Sequence, residues 1–230
     1  MLQSVKAKIL DTFGLEVQRS GTLANFLKTR PIDLIVDAGA NLGQFARSVR
    51  SKGYKGRIHS FEPVGYVFQA LEKLARNDPH WKTTNIALGD KSGTAELNVF
   101  GNHSLSSFLK PTELFSTFDN GLSMSTENVA VQRLDDLLAD DPASDIFLKI
   151  DVQGYEKQVL EGAGNVLSRV VALYLELPVQ NLYEGSWSFR EAISFIDDLG
   201  FEPAQFRMVS PHPNDPASAV EFDSLFRRKC

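Results

Sequence analysis

From about residue 33 onward, short apolar runs alternate with stretches in which apolar residues recur at helical spacing. Residues 33–37 (DLIVD) read as a buried strand, 42–52 as a helix, 57–61 (RIHSF) as a second strand, and 64–77 as a helix through Val67, Leu71 and Leu74. Residues 83–88 complete a βαβαβ order, which requires a parallel sheet with both faces covered. The alternation resumes with a short helix at 133–139, a strand at 145–151 (DIFLKID), a helix at 154–168, a strand at 170–177 (VVALYLEL) and a helix at 189–199. Two β-prone segments, 201–208 and 219–227, flank a PHPNDP turn and suit an antiparallel pair closing the sheet edge.

Two departures from this rhythm matter. Residues 94–100 and 128–132 are β-prone and bracket a polar stretch, 101–126, rich in Ser, Asn and Gly, which reads as a hairpin-like insertion at about 94–132 carrying a long loop. A loop of that length in a compact domain usually works as a lid or binding loop, so it is the expected acceptor-facing region. Residues 1–30 carry two short helical patterns ahead of Pro31 and read as an N-terminal helical cap, with 31–230 as a single domain.

The 230 residues carry a formal net charge of -5, which gives no basic footprint for a nucleic acid. The single cysteine, Cys230, allows neither an intrachain disulfide nor a thiolate cluster, and a reducing cytoplasm is expected. No apolar run approaches the ~18 residues of a membrane span, so membrane partners are not expected, and a homo-oligomer is compatible with the sequence.

Chemistry-bearing residues gather at the ends of the expected strands. In LIVDAGANLGQFA (34–46) a strand ending in Asp37 runs through Gly39 and Gly43 into a helix, a turn that lets backbone approach a ligand at a helix N-terminus. The G-x-G-x-x-G of dinucleotide folds is incomplete here, and an acid at Asp37 suits a cationic methionine end better than a pyrophosphate. Glu62 ends the next strand at the spacing expected of a carboxylate that takes both ribose hydroxyls. NIALGD (85–90) would end beside an adenine, and LKIDVQGYE (148–156) brings Asp151 to the same crevice.

The ordered set VDAGANLGQFA, FEP, NIALGD, LKIDVQGYE and VLEGA resembles the FkbM-type methyltransferases. That resemblance implies a Rossmann-like, seven-stranded class I methyltransferase sheet, mostly parallel with an antiparallel C-terminal strand and helices on both faces. It also implies S-adenosylmethionine as donor, S-adenosylhomocysteine as product, and O-methylation of a small-molecule, natural-product or glycan hydroxyl. On it, Asp37, Gly39, Asn41, Gly43 and Phe45 would hold the methionine side, Glu62 the ribose, Asn85 and Ala87 the adenine edge, with Asp151 nearby.

For removing the acceptor's proton, Asp151 is the first candidate, with His103 in the expected lid and Glu176 at the end of a neighbouring strand as the others. An Asp151–Glu176 pair would also suit a divalent ion through oxygen ligands, though no dense ligand pattern supports one. Ser104, Ser106, Ser107 and Asn102 could meet sugar hydroxyls, with Phe108 and Phe115 stacking on a ring. The rival readings are a nicotinamide-dependent oxidoreductase, for which no hydride-transfer constellation is found, and a methyltransferase-like binding module without catalysis.

Overall fold

The computed structural model describes residues 23–118 and 124–229. The expected amphipathic helix at the start of the chain and Cys230 lie outside the described residues. Residues 1–30 and 31–230 form separate compact units. In the first, helix α1 (Leu23–Thr29) closes on itself, the Thr29 hydroxyl donating to the Asn25 and Phe26 carbonyls.

The second unit is an α/β domain whose main sheet is built from β1 (Leu34–Ala38), β2 (Arg57–Phe61), β3 (Trp81–Thr84), β7 (Ile146–Ile150), β8 (Val170–Pro178), β9 (Phe201–His212) and β10 (Asp215–Arg228). Their spatial order is β3-β2-β1-β7-β8-β10-β9, parallel except for β10, which runs antiparallel to both neighbours. The expected C-terminal antiparallel pair is thus present, with β10 inserted between β8 and the edge.

The central strands are apolar on both faces because helices cover both. On β1 and β7, Leu34, Val36, Ala38, Ile146, Leu148 and Ile150 join one core with Val159 and Leu160 of α5 (Glu156–Glu161) and Ala192 and Ile196 of α6 (Phe189–Asp198). The opposite face meets α2 (Gln44–Ser51), whose Phe45 ring lies 6.2 Å from Phe147 and 5.9 Å from Tyr174. Helix α3 (Gly65–Ala75) buries Val67, Leu71 and Ala75, and α4 (Leu134–Leu137) supplies Leu134 to the first core.

Three elements differ from the sequence pattern. The expected strand 83–88 breaks at Asn85, whose side chain donates to the Glu62 and Pro63 carbonyls while the Ile86 N–H bonds Thr84. The chain beyond it, β4 (Ala87–Leu88), leaves the main sheet and pairs with β6 (Met124–Gln132). The expected helix 154–168 stops at Glu161, ahead of Gly162 and Gly164, and a 3₁₀ turn (Val166–Arg169) follows, held by the Asp135 carboxylate at the Asn165 and Val166 N–H groups.

The third difference is the insertion. Its hairpin is as expected, β5 (Gly93–Phe100) pairing antiparallel with β6. The intervening stretch is built rather than structureless in its described part. It has 3₁₀ turns at His103–Leu105 and Leu114–Thr117, and paired backbone bonds join Asn98 to Ser107. An apolar cluster of Phe100, Phe115, Leu182, Tyr183 and Val220 forms a second anchor, with the Thr112 N–H on Leu182 and the Glu184 N–H on Lys110.

Candidate functional site

The parallel strands β1, β2 and β7 deliver their carboxyl ends to one edge of the sheet, the edge at which such sheets bind ligands. The turn after β1 is fixed by Gly39, at φ 71°, where any Cβ would run into the Asp151 carbonyl oxygen. This close approach presses that turn against the end of β7. Asn41 comes two residues later at φ 51°, and the Asn41 N–H donates to Glu62 Oε2 at 2.8 Å, drawing the end of β2 to the same place.

The resulting cleft is walled by Gly39, Asn41 and Glu62 on one side, by the apolar Val64, Ile86, Ala87, Leu88, Leu97 and Phe108, and by His103, Ser104, Ser106, Asp151, Val152 and Gln153. Its empty space is about 630 Å³ with the mouth included. Glu62, 6% exposed, takes one N–H on each oxygen, from Asn41 at 2.8 Å and Val64 at 2.9 Å. Burial pushes its carboxyl up to about 7, against the pull of those two N–H groups and of Lys149.

Beneath the cleft floor runs a line of buried polar groups. The Trp81 indole donates to Ser60, Ser60 donates to Asp37, and Lys149 lies 3.1 Å from Asp37 while donating to the Gly39 carbonyl at 2.8 Å. The register places Asp37 directly beside Ser60 on β2 and Lys149 on β7. Burial by itself would strip the Lys149 proton, but the charges of Asp37 and Asp151 outweigh it and hold the ammonium above its usual range.

Asp151 opens onto the cleft with Lys149 at 3.6 Å from Oδ2. Gln153, at φ 56°, points its amide nitrogen at Asp151 Oδ1 (3.0 Å) and Glu176 Oε2 (2.9 Å), and its Oε1 lies 2.9 Å from the Tyr183 hydroxyl. The turn is held from behind by Glu156, which accepts from the Val152 and Gly154 N–H groups at 3.2 and 3.0 Å. Glu176 is partly buried, and burial together with the charges of Asp151, Glu221 and Asp223 pushes its carboxyl well above the usual range.

Of the residues singled out from the sequence, Gly39, Asn41, Glu62, Ala87, Asp151 and His103 line the cleft. The His103 Nδ1 and Ser106 Oγ are buried there without a hydrogen-bond partner among the described residues. Four residues expected to hold the donor do not line the cleft. Asp37 is fully buried below the floor. Gly43 is enclosed by Leu71 and Trp81, and Phe45 lies against Phe147 and Tyr174 on the α2 face. Asn85 has its amide turned to the Glu62–Pro63 backbone.

Glu176 does not line the cleft but reaches it through Gln153. The expected acceptor contacts divide likewise. Ser104, Ser106 and Phe108 face the cleft, whereas Ser107 is spent on the Gln153 carbonyl, Asn102 caps Ser104, and Phe115 is sealed in its own cluster. Gln153 and Glu156 escape the sequence reading, although LKIDVQGYE contains both, and Lys149, legible there beside Asp151 at a strand end, gains a role only in the fold. Among the described residues no group of three or more His, Cys, Asp or Glu side chains is arranged to hold a metal, and no helix is long and apolar enough to cross a membrane.

Comparison with known proteins bears on this arrangement. The family model described as the methyltransferase FkbM domain matches residues 37–203. The 31-O-demethyl-FK506 methyltransferase FkbM of Streptomyces tacrolimicus is 28% identical over 163 residues, 61% of this chain and 63% of that one. The 2-O-methyltransferase NoeI of Sinorhizobium fredii is 24% identical over 214 residues, 87% of this chain and 82% of that one. Among solved structures, a Listeria monocytogenes protein assigned to the S-adenosylmethionine-dependent methyltransferases superposes with a TM-score of 0.50 at 9% identity, covering 90% of this chain and 97% of that one, which is a likeness of fold.

Proposed function

The chain belongs to the FkbM methyltransferase domain family, and on that premise we propose that it transfers the methyl group of S-adenosylmethionine to a hydroxyl of a small molecule or glycan. The observation that carries this reading is the convergence of Gly39, Glu62 and Asp151 on one cleft with an apolar wall. Two of the relatives it matches are named for O-methylation or O-demethyl substrates, which favours oxygen as the acceptor atom.

The residues present fit such a donor. Each Glu62 oxygen carries one backbone N–H and so keeps acceptor capacity for a ribose hydroxyl. Val64, Ile86, Leu88, Leu97 and Phe108 offer flat apolar surface to a purine, and the unpartnered His103 Nδ1 and Ser106 Oγ suit a polar group. Gly39 and Asn41 present backbone, and Asp151 a carboxylate, toward a cationic end. When bound, the donor supplies an already activated methyl, so the protein's task is to place the acceptor oxygen and take its proton.

Asp151 is the group we assign to that proton. It faces the cleft, with the Lys149 ammonium 3.6 Å from its Oδ2. A positioned base contributes roughly 10² to 10⁴-fold, so Asp151→Asn is expected to lower kcat by about that factor while S-adenosylhomocysteine binding measured by calorimetry changes little. His103 is the second reading, favoured by its unpartnered ring nitrogen in the cleft. Should His103→Ala abolish transfer and Asp151→Asn leave it intact, the roles are reversed. The test of the reaction itself is incubation with methyl-labelled donor and a panel of polyols and sugars. Binding of NAD with none of S-adenosylhomocysteine would sink the methyltransferase reading in favour of an oxidoreductase, and S-adenosylhomocysteine binding without any transfer would favour a binding module.

A further inference from the structure

Gln153 sits in a left-handed backbone conformation, at φ 56°, that a non-glycine residue adopts at a cost of about 1 kcal/mol or more. Several contacts over-determine it there. The Ser107 hydroxyl donates to its carbonyl at 2.6 Å, the Glu156 carboxylate holds the N–H groups of its two neighbours, and Gly154 follows at φ 93°. The consequence is a side chain turned back over the end of β7. The orientation of its amide is set by chemistry: reversing it would face an oxygen against carboxylate oxygens of both Asp151 and Glu176.

We propose that Gln153 is the positioning residue of the acceptor end of the cleft, its amide tying Asp151 and Glu176 into one unit that aims Asp151 at the acceptor and fills the place a bridging cation would need. This rests on the reading of Asp151 as the base. One amide nitrogen donates to Asp151, just past the end of β7, and to Glu176 on the neighbouring β8, at 3.0 and 2.9 Å. A divalent ion such as Mg²⁺ binding those two oxygens at about 2.1 Å from the amide's side would have to displace that nitrogen. The Tyr183 hydroxyl lies 2.7 Å from the Leu105 carbonyl and 2.9 Å from Gln153 Oε1, two acceptors that share its one proton, and so sets the far side of the amide beside the insertion.

The test uses the 230-residue chain and Gln153→Met, which keeps length and apolar volume but removes both N–H donors. Carbon-13 titration of the Asp151 and Glu176 carboxyls in the free protein needs no methyl transfer. Losing the donors is expected to raise the Glu176 titration further above the usual carboxylate range, because the Gln153 hydrogen bond is what pulls it down. Lys149, Asp37, Glu156, Tyr183, Glu221 and Asp223 face the pair in both proteins and stay constant. In turnover, kcat is expected to fall roughly 10 to 100-fold, with the S-adenosylhomocysteine dissociation constant unchanged within about threefold.

Chelator is expected to leave wild-type turnover unaltered. A folded Gln153→Met protein with an unmoved Glu176 titration overturns the tie, as does chelator-sensitive wild-type turnover. A raised Glu176 titration in a protein that transfers no methyl at all would retain the tie and refute the reaction instead. If Gln153→Met fails to fold, Tyr183→Phe decides: it loosens the amide, and an unchanged Glu176 titration there overturns the proposal.

Discussion

Glu62 shows how far a single residue can be read in advance. Its spacing from the glycine turn places it at the cleft, but its ionisation belongs to the folded environment. Burial raises it to about 7 while backbone N–H groups of Asn41 and Val64 occupy one position on each oxygen. If the ionised form is what accepts the ribose hydroxyls, S-adenosylhomocysteine affinity should grow roughly tenfold between pH 6 and pH 8, because the ionised fraction rises by about that factor across a pKa of about 7. Calorimetric titrations of wild type and Glu62→Gln check this, and an equal slope in the variant would assign the dependence to another group. Asp37 lies away from the cleft for a reason of strand geometry. Alternation along a strand decides whether a polar side chain meets the crevice or the sheet's own face, and for Asp37 that face is filled by Ser60 and Lys149. Gln153 is invisible in the sequence because a positive φ in a non-glycine residue leaves no mark in the letters.

At the scale of elements, the buried parallel strands are legible because strands covered on both faces read as unbroken apolar runs. The segments that leave the pattern are not. The turn from β3 to β4 depends on an asparagine amide reaching two backbone carbonyls, and the insertion owes its shape to contacts with residues 182–184 far along the chain. The Val152–Gly154 turn has a local support of its own in Glu156, 2% exposed, whose carboxyl burial raises to about 7. The unfolded chain loses that proton near 4.5, so the native state binds more protons between 4.5 and about 7 and stability from this group is lost as pH rises through that window. Glu156→Gln keeps a carbonyl oxygen for the Val152 and Gly154 N–H groups and removes the titration. Relative to wild type it should therefore gain on the order of 2 kcal/mol more at pH 8 than at pH 5. Thermal denaturation at the two values tests this, and a pH-independent difference would show that Glu156 titrates normally.

Across the whole sheet, the strands that carry the cleft are joined underneath by one polar line, from Trp81 on β3 through Ser60 on β2 and Asp37 on β1 to Lys149 on β7. Its members are buried, with Asp37 at 0% and Lys149 at 6% exposure, so the ion pair at its centre is costly to assemble and more costly to leave half-made. What it secures is the floor of the cleft. Lys149 also donates to the Ala38 and Gly39 carbonyls and stands 3.6 Å from Asp151, so one ammonium fixes the turn after β1 relative to the end of β7. Removing either charge alone, by Asp37→Asn or Lys149→Met, should cost about 3 to 5 kcal/mol, since the second leaves Asp37 buried without a counter-charge and the first leaves Lys149 only the half-exposed Asp151. The double variant should be less destabilised than the two single costs added together, by a coupling on the order of 2 kcal/mol in a denaturant-melt cycle. It should nevertheless bind S-adenosylhomocysteine more weakly than wild type, because the Gly39 carbonyl has lost the donor that holds its turn. Strict additivity of the two single costs would mean that the pair is already screened by water and that the floor is held by backbone bonds alone.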